Sequence, residues 1–117
     1  PQNPKTPLIC LIINKNMITY FDEPLELIAK FEEIKGSGRV ICIFSGSENA
    51  QGKNWCPDCD AAKPMIQKLI DYPDRPTILY GKVAERNSWV GRADHPYKQH
   101  PVFKARGVPT VVLFDEG

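Results

Sequence analysis

The pentapeptide Trp55-Cys56-Pro57-Asp58-Cys59 constrains this chain more than any other stretch. It follows a continuous apolar run, Val40-Ile41-Cys42-Ile43-Phe44, and a polar loop from Ser45 to Asn54. It opens a segment with helical periodicity. Two cysteines at the start of such a helix form a chemical device, because the free amides of a helix N-terminus favour an anion. A thiolate is stabilised there, and the thiolate is the form that attacks a disulfide sulfur. Cys59 follows Cys56 by one helical turn, within reach of a mixed disulfide formed on Cys56. Pro57 suits the first helical position, where its missing N–H costs nothing. Asp58 is favourable in a first turn, but its carboxylate is a like charge beside a Cys56 thiolate.

The other two cysteines, Cys10 and Cys42, sit inside the apolar runs Leu8–Ile13 and Val40–Phe44. They read as small buried apolar side chains, not as the framework of a secreted disulfide scaffold. This usage points to a reducing compartment with one special pair. The 117 residues suffice for one domain with its own core. A net charge of +1 gives no case for an electrostatic nucleic-acid surface. Both apolar runs are far short of the ~20 residues that a membrane span needs.

The order of elements is β-α-β-α-β-α-β, which predicts an α/β sandwich with mixed strand directions. Residues 1–16 read as a tail with a possible extra strand at Leu8–Ile13, and residues 17–117 as a single domain. Strands are expected at 17–21, 39–44, 77–83 and 110–114. Asp22 is expected to cap a helix over 23–35 that buries Leu25, Leu27, Ile28, Phe31 and Ile34. Pro57 to about Asp71 is expected to be a helix burying Met65, Ile66, Leu69 and Ile70. Pro101–Ala105 has the character of one or two helical turns. His95 and His100, each followed by Pro in a polar connection, read as solvated loop histidines. Their spacing also matches a zinc-ligand pair, although 35 residues separate Cys59 from His95.

Two further features converge on the cysteines. Arg106-Gly107-Val108-Pro109-Thr110 precedes the apolar strand Val111–Phe114, and Pro64 lies inside the helix that Cys56 opens. Together they resemble the thioredoxin superfamily, whose cis-proline faces the cysteine pair and whose cysteine helix carries a proline. X-Pro is the peptide bond in which cis occurs with useful frequency. Phe44-Ser45-Gly46-Ser47, the loop ending Gly52-Lys53-Asn54, the Cys-Pro-Asp-Cys core and Trp89 narrow the resemblance to the thioredoxin domain-containing protein 17 family. It covers roughly residues 17–114.

That resemblance implies a thioredoxin-like three-layer sandwich around a mixed sheet, and a cytoplasmic, monomeric dithiol–disulfide reductase. Cys56 would attack and Cys59 would resolve. Trp55, Pro57, Asp58, Val108 and Pro109 would shape the site, with Val108's backbone pairing with substrate. No cofactor would be bound; electrons would come from NADPH through thioredoxin reductase. Substrates would be small or selected disulfides, narrowed by the long loop.

The sequence departs from the wider superfamily in two places. No carboxylate lies on the strand before the cysteines, so Cys59 must lose its proton to water or another acid, and Asp58 is nearest in sequence. The chain also stops at Gly117, just where the family continues with a strand and a closing helix, which predicts that 117 residues are part of a longer chain. A thioredoxin-like adaptor without turnover and a zinc site remain alternatives at this point.

Overall fold

The computed structural model describes residues 18–73 and 75–115. The expected strand at Leu8–Ile13 and Cys10 lie outside the described residues. Four strands form one sheet in the order β1-β3-β2-β4. They are β1 (Ile18–Phe21), β2 (Val40–Ser45), β3 (Thr77–Lys82) and β4 (Thr110–Phe114). The helices are α1 (Pro24–Ile34), α2 (Pro57–Asp71) and a short α3 (Pro96–Gln99). Strands β1 and β2 pair parallel to β3, while β4 pairs antiparallel to β2, so the sheet is mixed.

Central β2 is buried along its whole length, as its unbroken apolar sequence requires of a strand covered on both faces. Its alternate side chains feed two cores. On one face Val40, Cys42 and Phe44 pack with Leu27 and Phe31 of α1, Tyr97 of α3, Leu79, Trp89 and Phe103. On the other face Ile41 and Ile43 pack with Ile78 and with Ile66 of α2, flanked by Ala62, Leu69, Ile70 and Tyr80. Helices on both faces of one sheet make the three layers.

Several local expectations need correction. Asp22 does not cap α1; Glu23 occupies the cap position without a side-chain hydrogen bond, and Pro24 starts the helix. Leu25 is exposed while Leu27 and Phe31 turn inward. Both residues 25 and 27 are leucine, so only packing decides which one faces the sheet. Met65 of α2 is likewise exposed and its neighbour Ile66 buried. The helical turn expected at Pro101–Ala105 falls earlier, at Pro96–Gln99.

His95 and His100 are buried rather than solvated. The Nδ1 of His95 accepts the N–H of Tyr97 at 3.1 Å and caps α3. The Nδ1 of His100 accepts the N–H of Val102 at 3.1 Å, and its Nε2 lies 3.2 Å from a Glu32 carboxylate oxygen. Both rings pack on aromatic neighbours, His95 on Trp89 and His100 on Phe103. They brace the long connection after β3. Among the described residues, no three His, Cys, Asp or Glu side chains gather as a metal cluster.

Candidate active site

Helix α2 begins immediately after Cys56, which is its N-cap residue with an extended backbone. The Cys56 sulfur accepts the Cys59 N–H at 3.3 Å, so the sulfur itself takes the place of a capping oxygen. Pro57 fills the first helical position, as its missing N–H allows. The helix runs on through Pro64 to Asp71. On its other side the Cys56 thiol donates to the Val108 carbonyl at 3.3 Å. The Val108–Pro109 peptide bond is cis. The predicted cysteines, Pro57, Val108 and Pro109 therefore share one site, although 52 residues separate Cys56 from Val108.

Both sulfurs are nearly sealed, with Cys56 7% and Cys59 3% exposed, and neither is in a disulfide. Burial pushes the Cys59 thiol up to about 11, while the Ser45 hydroxyl and the Gly46 amide pull the other way. The Gly46 N–H reaches the Cys59 sulfur at 3.4 Å. Asp58 is exposed on the first turn. The groups that act on the Cys59 thiol are Ser45, Gly46 and Cys56, not Asp58.

Sequence reasoning missed the residues that hold the loop in place. Asn54 is 6% exposed and uses its whole amide. Its Nδ2 donates to the Gly46 carbonyl at 2.6 Å, and its Oδ1 accepts the Cys56 N–H at 3.0 Å. The Asn54 N–H in turn donates to the Asp60 carboxylate at 3.2 Å, so the acidic residue of the first turn that braces the loop is Asp60. A side chain at Gly46 would place its Cβ 2.5 Å from the Asn54 Oδ1 and 2.7 Å from the Trp55 ring, so the close approach requires glycine. Trp55 is anchored from a third direction: its indole N–H donates to the Ala84 carbonyl at 2.6 Å. The Ser47 N–H shares that acceptor at 3.2 Å, and Ala84 stands in the left-handed backbone region at φ 63°. An Asn directly before the Trp-Cys pair was the one signal available for any of this.

The long loop is ordered by its own bonds. The Asn49 side chain accepts the N–H groups of Gln51 and Lys53, and Glu48 bridges to Asn54. A Glu48 carboxylate also pairs with Lys63 on α2 at 2.5 Å. Between the loop, α2 and the end of the sheet lies a cleft of about 530 Å³, lined among others by Ser45, Cys59, Lys63, Tyr80 and Lys82.

A parallel-centred mixed sheet, with a Cys-x-x-Cys pair capping a helix against a cis-proline, defines a thioredoxin-like domain. The family pattern described as thioredoxin domain-containing protein 17-like, thioredoxin domain, matches residues 17–117, and the chain belongs to that family. It is similar to thioredoxin domain-containing protein 17 of Epinephelus coioides, with 32% identity over 76% of this chain and 70% of that protein. The thioredoxin-like protein Clot of Arabidopsis thaliana is 28% identical over 80% of this chain and 70% of that protein. Thioredoxin domain-containing protein 17 of Homo sapiens is 26% identical over 74% of this chain and 80% of that protein. Among the described residues, no helix is long and apolar enough to cross a membrane.

Proposed function

We propose that this chain is a dithiol–disulfide oxidoreductase that reduces small or selected disulfides and is recharged from NADPH by thioredoxin reductase. The observation that carries this reading is the Cys56 sulfur at the head of α2, held between the Cys59 amide and the Val108 carbonyl. Ionised Cys56 attacks one sulfur of a substrate RS–SR′. A Cys56–SR bond forms, the substrate S–S bond breaks, and R′S⁻ leaves to take a proton from water. Ionised Cys59 then attacks the Cys56 sulfur. The Cys56–Cys59 disulfide forms and RS⁻ leaves, so two electrons pass from the dithiol to the substrate. Thioredoxin reductase returns two electrons and two protons.

The near-complete burial of both sulfurs supports selectivity for substrates that can reach a recessed site. The long loop, pinned by Asn54 and by Glu48–Lys63, forms one wall of the approach. Cysteines placed inside apolar runs beside one Cys-x-x-Cys pair suit a reducing compartment, and we assign the protein to the cytoplasm on that ground.

The test is NADPH consumption with thioredoxin reductase and either cystine or insulin, comparing the protein with its Cys56→Ser variant. Turnover that needs Cys56 is expected. Substrate binding without NADPH use would overturn the reading in favour of an adaptor. Stoichiometric zinc without turnover would overturn it in favour of a metal site. A reduction potential near −120 mV rather than about −270 mV would make the protein an oxidant instead.

A further inference from the structure

The resolving half of the reaction depends on a contact between two segments that the chain keeps apart. The Gly46 N–H reaches the Cys59 sulfur at 3.4 Å, yet the two residues stand 13 positions apart with the long polar loop between them. A loop of that length leaves its two ends free to drift unless something ties them. We propose that Asn54 is a positioning residue for the resolving step: it closes the neck of the loop and so keeps the Gly46 N–H on the Cys59 sulfur while Cys59 attacks Cys56. The inference rests on the dithiol reading above and adds to it a residue that acts through the backbone.

Gly46 follows the last residue of β2, and Asn54 stands two residues before Cys56, so these two mark the ends of the loop. The Asn54 amide spans them. Its Nδ2 donates to the Gly46 carbonyl at 2.6 Å while its Oδ1 accepts the Cys56 N–H at 3.0 Å. A primary amide offers a donor and an acceptor on one rigid plane, whereas a carboxylate in its place would have nothing to donate. Both bonds form away from water, where leaving the carbonyl or the N–H unpaired is costly. A third hold comes from α2, whose Asp60 carboxylate accepts the Asn54 N–H at 3.2 Å. The fit has no slack, since even a Cβ on Gly46 would lie 2.5 Å from the Asn54 Oδ1. The excursion through residues 47–53 is thereby isolated from the sulfurs.

The consequence falls on Cys59. A hydrogen bond to the charged form of a thiol favours that form, and it strengthens as charge develops on the acceptor. In the mixed disulfide the Cys59 proton passes to water in the cleft that Cys59 lines. The Cys59 thiolate, held by the Gly46 N–H, attacks the Cys56 sulfur. The Cys56–Cys59 bond forms, the Cys56–SR bond breaks, and RS⁻ leaves with the electron pair. Gly46 keeps its own proton throughout. In the first half of the reaction the Cys56 thiolate is served by a different donor, the Cys59 N–H inside α2. Loss of the Asn54 amide therefore weighs on the second half more than on the first.

The test mixes the reduced protein with an excess of an aromatic disulfide whose thiolate product absorbs visible light. The first burst of colour scales with disulfide concentration and reports attack by Cys56. The second is independent of that concentration and reports attack by Cys59. Failure of the first burst would sink the proposed function, whereas Asn54 is judged by the ratio of the second rate to the first. In Asn54→Ala that ratio is expected to fall about threefold or more. A merely structural loss would unfold part of the sample and lower both amplitudes without moving the ratio. The Gly46 amide proton, read by NMR, gives the second measurement: its resonance is expected to move to lower frequency in Asn54→Ala as its bond to sulfur weakens. A smaller fall in the ratio, or a fall with the Gly46 resonance unmoved, overturns the proposal. If Asn54→Ala fails to fold, Asn54→Asp decides alone by the same two readings, because it keeps the acceptor for the Cys56 N–H and loses the donor to Gly46.

Discussion

The two faces of the sheet use the same strand for different ends. Towards α1 and α3, β2 contributes Val40, Cys42 and Phe44 to a core of fully buried, largely aromatic side chains. The rings of Phe31, Phe44, Tyr97 and Phe103 contact one another with centroids 4.4 to 6.2 Å apart. Towards α2, the same strand contributes Ile41, Ile43 and then Ser45 to a smaller core that ends in a sulfur, a hydroxyl and a cleft. One face is filled and holds the fold. The other is left open at one end, as the proposed dithiol chemistry requires of sulfurs that exchange with a substrate. The aromatic core pins β2, and the end of β2 in turn brings the Gly46 N–H to the Cys59 sulfur.

This contrast can be broken most sharply at the nucleophile. Cys56→Ser is expected to lower reductase turnover at least about a hundredfold while leaving the urea midpoint nearly unchanged. Equal losses in both would mean that the cysteine is structural. Phe44→Ala is expected to cost about 3–5 kcal/mol by urea unfolding, and Ile66→Ala, on the open face, about 2 kcal/mol. Equal costs would erase the difference between the faces.

Alkaline titration sharpens the comparison further. Burial pushes the Cys42 thiol up to about 12 and the Cys59 thiol up to about 11, from an ordinary value of 9.0. Above pH 9 the unfolded chain releases these protons while the folded chain keeps them, so stability falls as pH rises. The Cys59 part of the loss is complete near pH 11, and the Cys42 part runs on to pH 12. Oxidation to the Cys56–Cys59 disulfide removes the first part. Urea midpoints of the reduced protein should therefore drop more steeply between pH 9 and 11 than those of the oxidised protein, and parallel curves would contradict the assignment. The smallest effect is expected at Asn54→Ala, which frees the Gly46 carbonyl and the Cys56 N–H. It should cost about 1–2 kcal/mol and change the rate of Cys56 alkylation, with no change in either reading arguing that the loop is held elsewhere.

The parts of the fold that were legible in the sequence rest on local physics. Pro24 and Pro57 mark helix starts because their missing N–H groups suit the first turn, and the apolar run Val40–Phe44 can only be a doubly covered strand. Cys56, Cys59, Val108 and Pro109 were found from motifs, and the structure brings them together. What was illegible depends on contacts between distant segments. Leu25 and Leu27, or Met65 and Ile66, differ only in which side of a helix meets the sheet. His95 and His100 look polar in sequence, and only their burial against Trp89 and Phe103 shows that they brace a core. The Gly46 N–H meets the Cys59 sulfur from beyond the end of β2, a contact that no spacing within one segment reveals.

The hydrogen bond from Cys56 to Val108 carries a consequence for how the chain is made. Synthesis at about 5–20 residues per second leaves roughly 3–10 s between the emergence of these two residues, 52 positions apart. Strand β4, which completes the pairing of β2, follows only after Val108. During that interval the nascent chain holds its nucleophile uncovered, with Cys42 already present as a competing sulfur on the unfinished central strand. The reducing environment that the proposed chemistry calls for would also be the condition under which the half-made chain avoids pairing the wrong cysteines.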